Sequence, residues 1–445
     1  MNEPTASEPT MTEPTVTEPI TSGPITSGPR IIETDVAVVG GGPAGATAAE
    51  QLARAGRSVA LVDRAGRIKP CGGAIPTAAL EHFGIPPKLL VARIRAARMI
   101  APSGATVDMD IRSTRPDGFV GMVDREEFDE WLRSRAATVG ADRVTGTVKK
   151  MERLESGRWA VHVQGRDGAV TLHARAVIGA DGANSAVRRA VFPPGMKPRY
   201  VTAYHEIIES PAATPKTTSG FAPGNAPGGA SGSTPGGFDP DRCDVYYQGH
   251  ISPDFYGWVF PHGGRTSVGC GSMQKGYDPR GATKLIREAA GLADCATIRT
   301  EGAPIPLKPM RRWHDAGGVV LAGDAASVVA PSSGEGIYFA MHGGRLAAES
   351  VAEWLETGRV AALKGARRRF MKEHRRTFLA LGVLQAVWYR SDKRREQFVK
   401  MCRDPDVQRL TWEGYLDKKL VRRDPLGHAR VAIKDAMELM GLRRA

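Results

Sequence analysis

Residues 35–63 read DVAVVGGGPAGATAAEQLARAGRSVALVD, and this stretch decides the fold. DVAVV (35–39) is a compact β-rich apolar run, residues 43–55 are alanine-rich and helical, and SVALV (58–62) is β-rich again. Strand, helix and strand within about thirty residues make one βαβ unit. Where the first strand meets the helix stands GGGPAG (40–45), a match to G-x-G-x-x-G. Gly40 permits the tight turn and Gly42 lets backbone approach a pyrophosphate. Ala44 lies in the first helical turn, where that pyrophosphate would sit, and Gly45 packs the helix on the sheet. Asp63, with Arg64 beside it, is placed to accept hydrogen bonds from the adenosine ribose hydroxyls. Alone the glycine pattern is weak. The strand before it, the helix after it and the acid closing the second strand turn it into a dinucleotide fingerprint.

The rest of the composition sets bounds. With 445 residues, 41% hydrophobic and 24% charged, the chain has the make-up of a soluble globular protein with a sizeable core. Its cysteines (Cys71, Cys243, Cys270, Cys295, Cys402) are scattered and form no CxxC or Cys/His cluster, so no metal is expected and a reducing compartment fits. The first thirty residues repeat Thr, Glu, Pro and Gly without an apolar run, which predicts a disordered arm and no signal peptide. A Gly/Pro/Ser-rich segment at 212–239 predicts a flexible insertion. Net charge is +13, and residues 361–445 hold 22 Lys/Arg against 10 Asp/Glu. Such a tail suits nucleic acid, an anionic membrane surface or an acidic partner; no aromatic RNA-binding motif accompanies it, so nucleic acid is not expected. FLALGVLQAVWY (378–389), between HRR and RSDKRR, is too short to span a bilayer. It reads as a core helix or as one lying in a membrane interface, which predicts a chain that is soluble or peripherally attached on the cytoplasmic side.

Two later stretches say which dinucleotide is bound. VIGADGANSAVR (177–188) and VVLAGDA (319–325) resemble two further signatures of flavoprotein monooxygenases and their reductase relatives. The resemblance implies that Asp181 and Gly182 lie near the cofactor phosphates and Asp324 on the ribityl chain of FAD. Each aspartate follows a buried strand, at the sheet edge where ligands bind. In PSSGEGI (331–337), Gly334, Gly336 and Ile337 would present backbone to the flavin ring, and Arg125 in VDREEFDEWL matches an arginine held close to FAD. No second G-x-G-x-x-G is present, so a nicotinamide reductant would bind transiently.

In YGWVFP (256–261), Tyr256, Trp258 and Phe260 fall on one side of a strand, as a core face or as a cavity wall. The pattern YxWxFP and the stretch PCGGAIP (70–76) are similar to marks of the geranylgeranyl reductase family. VALVDRAGRIKPCGGAIP, GFVGMVDREEFDEWLR, DFYGWVFPHG and LAGDAASVVAPSSGEGIYFAM resemble its photosynthetic branch. That resemblance implies an FAD-dependent reductase that saturates three of the four double bonds of a geranylgeranyl group, on bacteriochlorophyll or chlorophyll or as the diphosphate, with NADPH as electron donor. Tyr256, Trp258, Phe260 and Pro261 would line the isoprenoid cavity. Gly72 and Gly73 would press against the flavin, with Cys71 as a near-flavin thiol. Tyr256, Cys71 and His262 are the side chains able to donate a proton. A monooxygenase on the same scaffold, or an isoprenoid-lipid reductase outside pigment synthesis, is the alternative.

The fold class expected is α/β: a Rossmann-like FAD-binding domain of the glutathione-reductase type, monooxygenase-like subgroup, with an antiparallel substrate sheet and a helical C-terminal region. Its expected boundaries are residues 31–95 with 115–195 and 305–360 for the FAD domain. Residues 96–114 with 196–304 would form the substrate sheet, and 361–445 the basic helical region.

Overall fold

The structure, a computed structural model, describes residues 30–64, 66, 68–211 and 237–418. The arm up to residue 29, most of the 212–239 insertion and the tail from 419 lie outside the described residues.

The first sheet grows from the fingerprint strand. Arg30–Val39 pairs in parallel with Val59–Asp63 on one side and with Gly168–Gly179 on the other. Ala141–Thr145 extends the first side, while Trp159–Gly165 and Thr147–Arg153 extend the second as antiparallel strands. Val319–Leu321 adds in parallel to the end of Gly168–Gly179, so three strand ends converge at one edge. Residues 36–39 and 59–62 are buried throughout, because parallel strands are covered on both faces. Strands Ala141–Thr145 and Thr147–Arg153 are separated only by Gly146. A Cβ there would come within 2.5 Å of Val163, so a chain passing this close to the neighbouring strand needs a glycine. The break lets the chain leave the parallel edge and join the antiparallel one.

Helix Pro43–Arg54 lies on this sheet and against helix Ile337–Thr357. Their contact is backbone on backbone: a Cβ on Gly344 would stand 2.1 Å from the Ala44 carbonyl oxygen.

Among the described residues the second sheet has seven strands, in the order Thr297–Pro306, Tyr200–Glu209, Arg265–Ser272, Gly257–His262, Arg242–Tyr246, Ala96–Ile100, Thr106–Asp110. Helix Pro279–Ala289 covers one face through Ala282 and Ile286. The other face, through Val201, Val245 and Trp258, shares one core with Trp388, Phe398 and Leu416 of the C-terminal helices. A three-stranded sheet (Ala74–Pro76, Val120–Val123, Leu90–Ile94) touches strand Gly257–His262 and helix Ile337–Thr357. Helices Gly365–Trp388, Asp392–Met401 and Pro405–Asp417 complete the described chain. They brace the 331–337 loop: Tyr389 donates to the Ser332 carbonyl at 3.1 Å, and Lys418 forms a buried ion pair with Glu335 at 2.7 Å. This is the α/β architecture with a second sheet and a helical C-terminal region that the sequence predicts.

Candidate active site

The glycine loop does what its spacing requires. Gly40 takes φ +104°, and a Cβ there would meet the Ala180 carbonyl at 2.4 Å. A Cβ on Gly45 would stand 1.8 Å from the Gly40 carbonyl oxygen, so helix and turn touch only because both residues are glycine. Gly42 is different: nothing crowds it, and the nearest atom to an added Cβ is Asp129 Oδ2 at 4.0 Å. As N-cap of Pro43–Arg54 it carries no side-chain cap, and no acid sits in the first turn. The helix therefore presents its positive end uncompensated to a phosphate.

Asp63 lies beside this turn and accepts from Arg133 Nη1 at 3.0 Å. Arg64, one residue on, is exposed. Asp181 uses one carboxylate oxygen to cap helix Ala186–Val191, accepting from the amides of Ala186 (2.5 Å) and Val187 (3.1 Å). Its other oxygen, Oδ1, is buried without a hydrogen-bond partner, a group that needs a donor. Gly182 follows at φ +84°, and Lys69 Nζ lies 3.9 Å from where its Cβ would be. That same ammonium forms an ion pair with Asp324 at 2.5 Å. Gly336 is close as well, since a Cβ on it would lie 3.9 Å from Asp324 Oδ1. Gly334 spends its amide on the Ala330 carbonyl at 3.0 Å, so it offers the flavin backbone proximity rather than a hydrogen bond. Ile337 opens the helix behind it.

Arg125 is buried and bidentate to Asp129, at 2.9 and 2.7 Å. Burial works against its charge, but the Asp129 carboxylate and the neighbouring Cys71 thiol outweigh it and hold the guanidinium above its ordinary value. An uncapped helix end, a partnerless Asp181 oxygen and a buried cation thus converge on one groove. Its donors and acceptors fit a dinucleotide with a flavin at its far end.

At that far end the PCGG loop meets the second sheet. Tyr256, Trp258 and Phe260 face one side of their strand and, with Pro70, Cys71 and Gly72, line a largely apolar cavity. A Cβ on Gly72 would come within 3.0 Å of the Phe260 ring, so the missing side chain makes room for the aromatic wall. Gly73, at φ +66°, is wedged against the Val123 carbonyl and His262 Nε2. Pro261 faces away from this cavity, because neighbours along a strand alternate sides; it pairs with Thr266 instead.

Tyr256 donates to the Ser333 carbonyl at 2.5 Å, and burial pushes its phenol well above the ordinary value. Its proton is therefore committed to bracing the 331–337 loop. His262 Nδ1 lies 2.9 Å from the Phe260 carbonyl, which only accepts, so this nitrogen carries the ring proton. Burial holds the ring below its ordinary pKa, hence neutral. Cys71 borders both the apolar cavity and an adjoining polar one that His262 and Arg125 share.

Sequence reasoning missed Lys69, Asp129 and Arg133, although all stand in stretches already singled out. Asp129 was readable from its i,i+4 spacing to Arg125. A second titratable group, His342, Glu373 and His374, gathers between helices Ile337–Thr357 and Gly365–Trp388. Arg345 faces His342 Nδ1 at 3.1 Å, so Nε2 must carry the ring proton; it lies 3.1 Å from Glu373 but makes no hydrogen bond. The lone pair of Nδ1 is taken by the Arg345 guanidinium. Burial and the Arg345 guanidinium push His342 down to about 4.

Comparison with known proteins gives the same picture. The family described as FAD binding domain matches residues 33–201. The chain is 51% identical to a geranylgeranyl diphosphate reductase of Rhodobacter capsulatus over 412 residues, 92% of this chain and 98% of that one. It is 37% identical to the chloroplastic geranylgeranyl diphosphate reductase of Oryza sativa over 416 residues, 89% and 84% of the two chains. Among solved structures, a geranylgeranyl bacteriochlorophyll reductase-like protein from Thermoplasma acidophilum superposes with a TM-score of 0.73. It covers 89% of this chain and 100% of its own at 22% identity, which speaks for the fold alone.

Proposed function

The chain belongs to the geranylgeranyl diphosphate reductase family of FAD-dependent oxidoreductases, and we propose that it saturates three of the four double bonds of a geranylgeranyl group to give a phytyl group. One observation carries the reading: the PCGG loop and the aromatic row Tyr256, Trp258 and Phe260 face each other across one apolar cavity, beside the groove that fits FAD. When bound, reduced FAD supplies the hydride. The chain's own part is to hold an unactivated alkene still in a dry site, with reacting atoms about 3–3.5 Å apart. Smooth aromatic and aliphatic walls suit a chain that must slide between successive reductions. Trp258 and Phe260 also present π faces that favour positive charge developing on an alkene carbon as it is protonated. The substrate is geranylgeranyl diphosphate or its pigment ester, with NADPH as a transient reductant.

The test uses the purified holoenzyme without oxygen, with NADPH or dithionite and either substrate, read by mass spectrometry. Gains of two, four and six hydrogens are expected. No gain with either donor on either substrate refutes the reading, and an oxygen-dependent gain of one oxygen atom would install a hydroxylase in its place.

We further propose that the enzyme works at a membrane surface. No helix among the described residues is long and apolar enough to cross a membrane. Helix Gly365–Trp388 buries Phe378 and Trp388 but leaves Leu379 and Val383 65% and 54% exposed. Lys372, Arg376 and, just beyond the helix, Arg390 are exposed at the same three- and four-residue spacing, so one stripe is basic at both ends and apolar in the middle. Each basic residue at an anionic surface contributes about 1 kcal/mol, and each apolar side chain that enters adds about 1.5–3 kcal/mol. Flotation with phosphatidylglycerol-rich vesicles at low salt should carry the protein upward. The double substitution Leu379→Asn, Val383→Asn should weaken that binding at least about tenfold. Equal flotation of the two proteins would remove this helix from the membrane.

A further inference from the structure

The sequence holds one dinucleotide fingerprint, and FAD takes it, so an external electron donor must dock elsewhere within reach of the flavin end. Two cavities reach that end, since both border Cys71. The first is the largely apolar one, where phosphate groups would lose their water and gain no cation in return. The second is polar and, with its mouth, takes in about 370 Å³. Small-molecule sites span about 300–1,000 Å³, so it has the size for part of a dinucleotide, the rest lying along the surface.

Four cations surround the polar cavity, and they divide by wall. On the nucleotide side, Lys69 is held by Asp324 at 2.5 Å, and Arg125 by Asp129 at 2.9 and 2.7 Å. On the second-sheet side the commitments are lighter. Among the described residues, Arg299 gives only Nε, to Glu301 at 2.9 Å, and Arg265 gives only Nη1, to Asp124 at 3.3 Å. Each guanidinium has five N–H donors, so most of theirs remain free at the cavity. The Arg265 side chain is 49% exposed and that of Arg299 26%, one at the mouth and one deeper. Sheet register sets them as a pair. Arg299 stands opposite Ile207, Ile207 opposite Ser267, and Arg265 lies one same-face position beyond Ser267. Two strand spacings separate their strands by about 10 Å, a gap that two guanidinium arms can close on a diphosphate.

Resting on the flavin reading above, we propose that the polar cavity is the docking site of the electron donor, a phosphorylated nicotinamide nucleotide whose phosphates Arg265 and Arg299 hold. Guanidinium forks meet phosphate oxygens two at a time, which gives orientation as well as affinity. The hydride leaves the nicotinamide, which is oxidised by two electrons, and is taken up by the flavin. Donor and alkene then use separate openings that meet at Cys71. Three saturations need three donors in turn, and a spent donor can leave without displacing a partly saturated chain.

The carboxylates nearby match the cations, one to each: Asp324, Asp129, Asp124 and Glu301. Asp124 is itself steadied by the Glu126 amide at 3.0 Å. By taking one edge of its arginine, each of Asp124 and Glu301 fixes the direction of the free edge. Attraction at this cavity therefore comes from unused N–H donors rather than from excess charge. Binding of that kind is modest, as suits a donor that must come and go.

The experiment compares Arg265→Ala, Arg299→Ala and the double variant with wild type, all as FAD-loaded protein. NADPH is added without oxygen and without alkene, and bleaching of the flavin is followed. Equilibrium dialysis measures binding of NADP, which cannot reduce. Each single change should raise the half-saturating NADPH concentration and the NADP dissociation constant about tenfold or more, the effect of losing hydrogen bonds to charged groups. FAD content, bleaching by dithionite and dithionite-driven saturation should stay at wild-type levels. Unchanged NADPH and NADP constants in the double variant overturn the proposal. Loss of FAD from folded Arg265→Ala also overturns it and gives the cavity to FAD. Slower dithionite-driven saturation of geranylgeranyl diphosphate, but not of the pigment ester, overturns it in favour of the substrate's own diphosphate. So does wild-type protein that dithionite or an acidic electron-carrier protein bleaches and NADPH does not. Arg265→Ala, at an exposed turn, decides alone if Arg299→Ala fails to fold. Since no alkene is present during bleaching, a failure of the reductase reading, seen as no gain of hydrogen, leaves this result standing.

Discussion

Gly45→Val should yield a colourless protein. The added Cβ alone would lie 1.8 Å from the Gly40 carbonyl oxygen and 3.1 Å from the Ala180 side chain. Neither can retreat. Gly40 is already at φ +104° with Ala180 backbone 2.4 Å from its own missing Cβ, and Ala180 follows directly on the central strand Gly168–Gly179. Helix Pro43–Arg54 must therefore lift off the sheet, opening the turn that receives the pyrophosphate and loosening its contact with Gly344. Overpacking of this kind costs about 1–3 kcal/mol, occasionally more. Loss of bound flavin, read from visible absorbance after gel filtration, should be nearly complete, with a melting temperature several degrees lower. Gly414→Ala is the control: it sits in a helix with nothing within 4 Å of the new methyl and should leave flavin content unchanged. A yellow Gly45→Val protein with wild-type melting would show that the turn does not hold the cofactor.

The second large effect is expected at Arg125. Replacing it with methionine strands Asp129, a buried carboxylate that has lost a bidentate partner. Breaking a buried pair by removing one member costs about 3–5 kcal/mol, a large part of the roughly 5–15 kcal/mol that holds a domain together. Arg125→Met should therefore melt early and lose FAD. Arg125→Met with Asp129→Leu removes both charges and should recover most of the stability, since well-packed apolar replacements of buried pairs are often neutral. If Arg125 also holds the cofactor, the stable double variant stays without FAD. A double variant that is both stable and yellow would reduce Arg125 to a structural role. Cys71→Ala, by contrast, removes no charge and should keep FAD bound.

Much of this was readable along the chain because the determinants are local. G-x-G-x-x-G, the strand before it and Asp63 after it lie within thirty residues, so turn, helix and strand periods reveal them without tertiary information. Period two likewise put Tyr256, Trp258 and Phe260 on one face, and the same rule turns Pro261 to the other, although the motif includes it. Lys69 was legible as a residue but not as a partner: its mate, Asp324, is 255 positions away.

The second sheet shows where sequence stops. His205, Ser267 and Glu301 stand on three strands whose side-by-side register sets His205 opposite Gly269 and Glu301. A slip of one residue would turn every side chain to the other face, and no local pattern specifies that register. Whether Tyr256 gives a proton or only braces a loop was equally undetermined, since its phenol is spoken for by Ser333, brought near by chain closure. The sequence by itself determined the cofactor class, the nucleotide-binding turn and the faces of single strands, because each rests on backbone periods of two or 3.6 residues. Only the tertiary structure decided which side chains share a proton or a charge, because those pairs form across strands and loops after distant segments close.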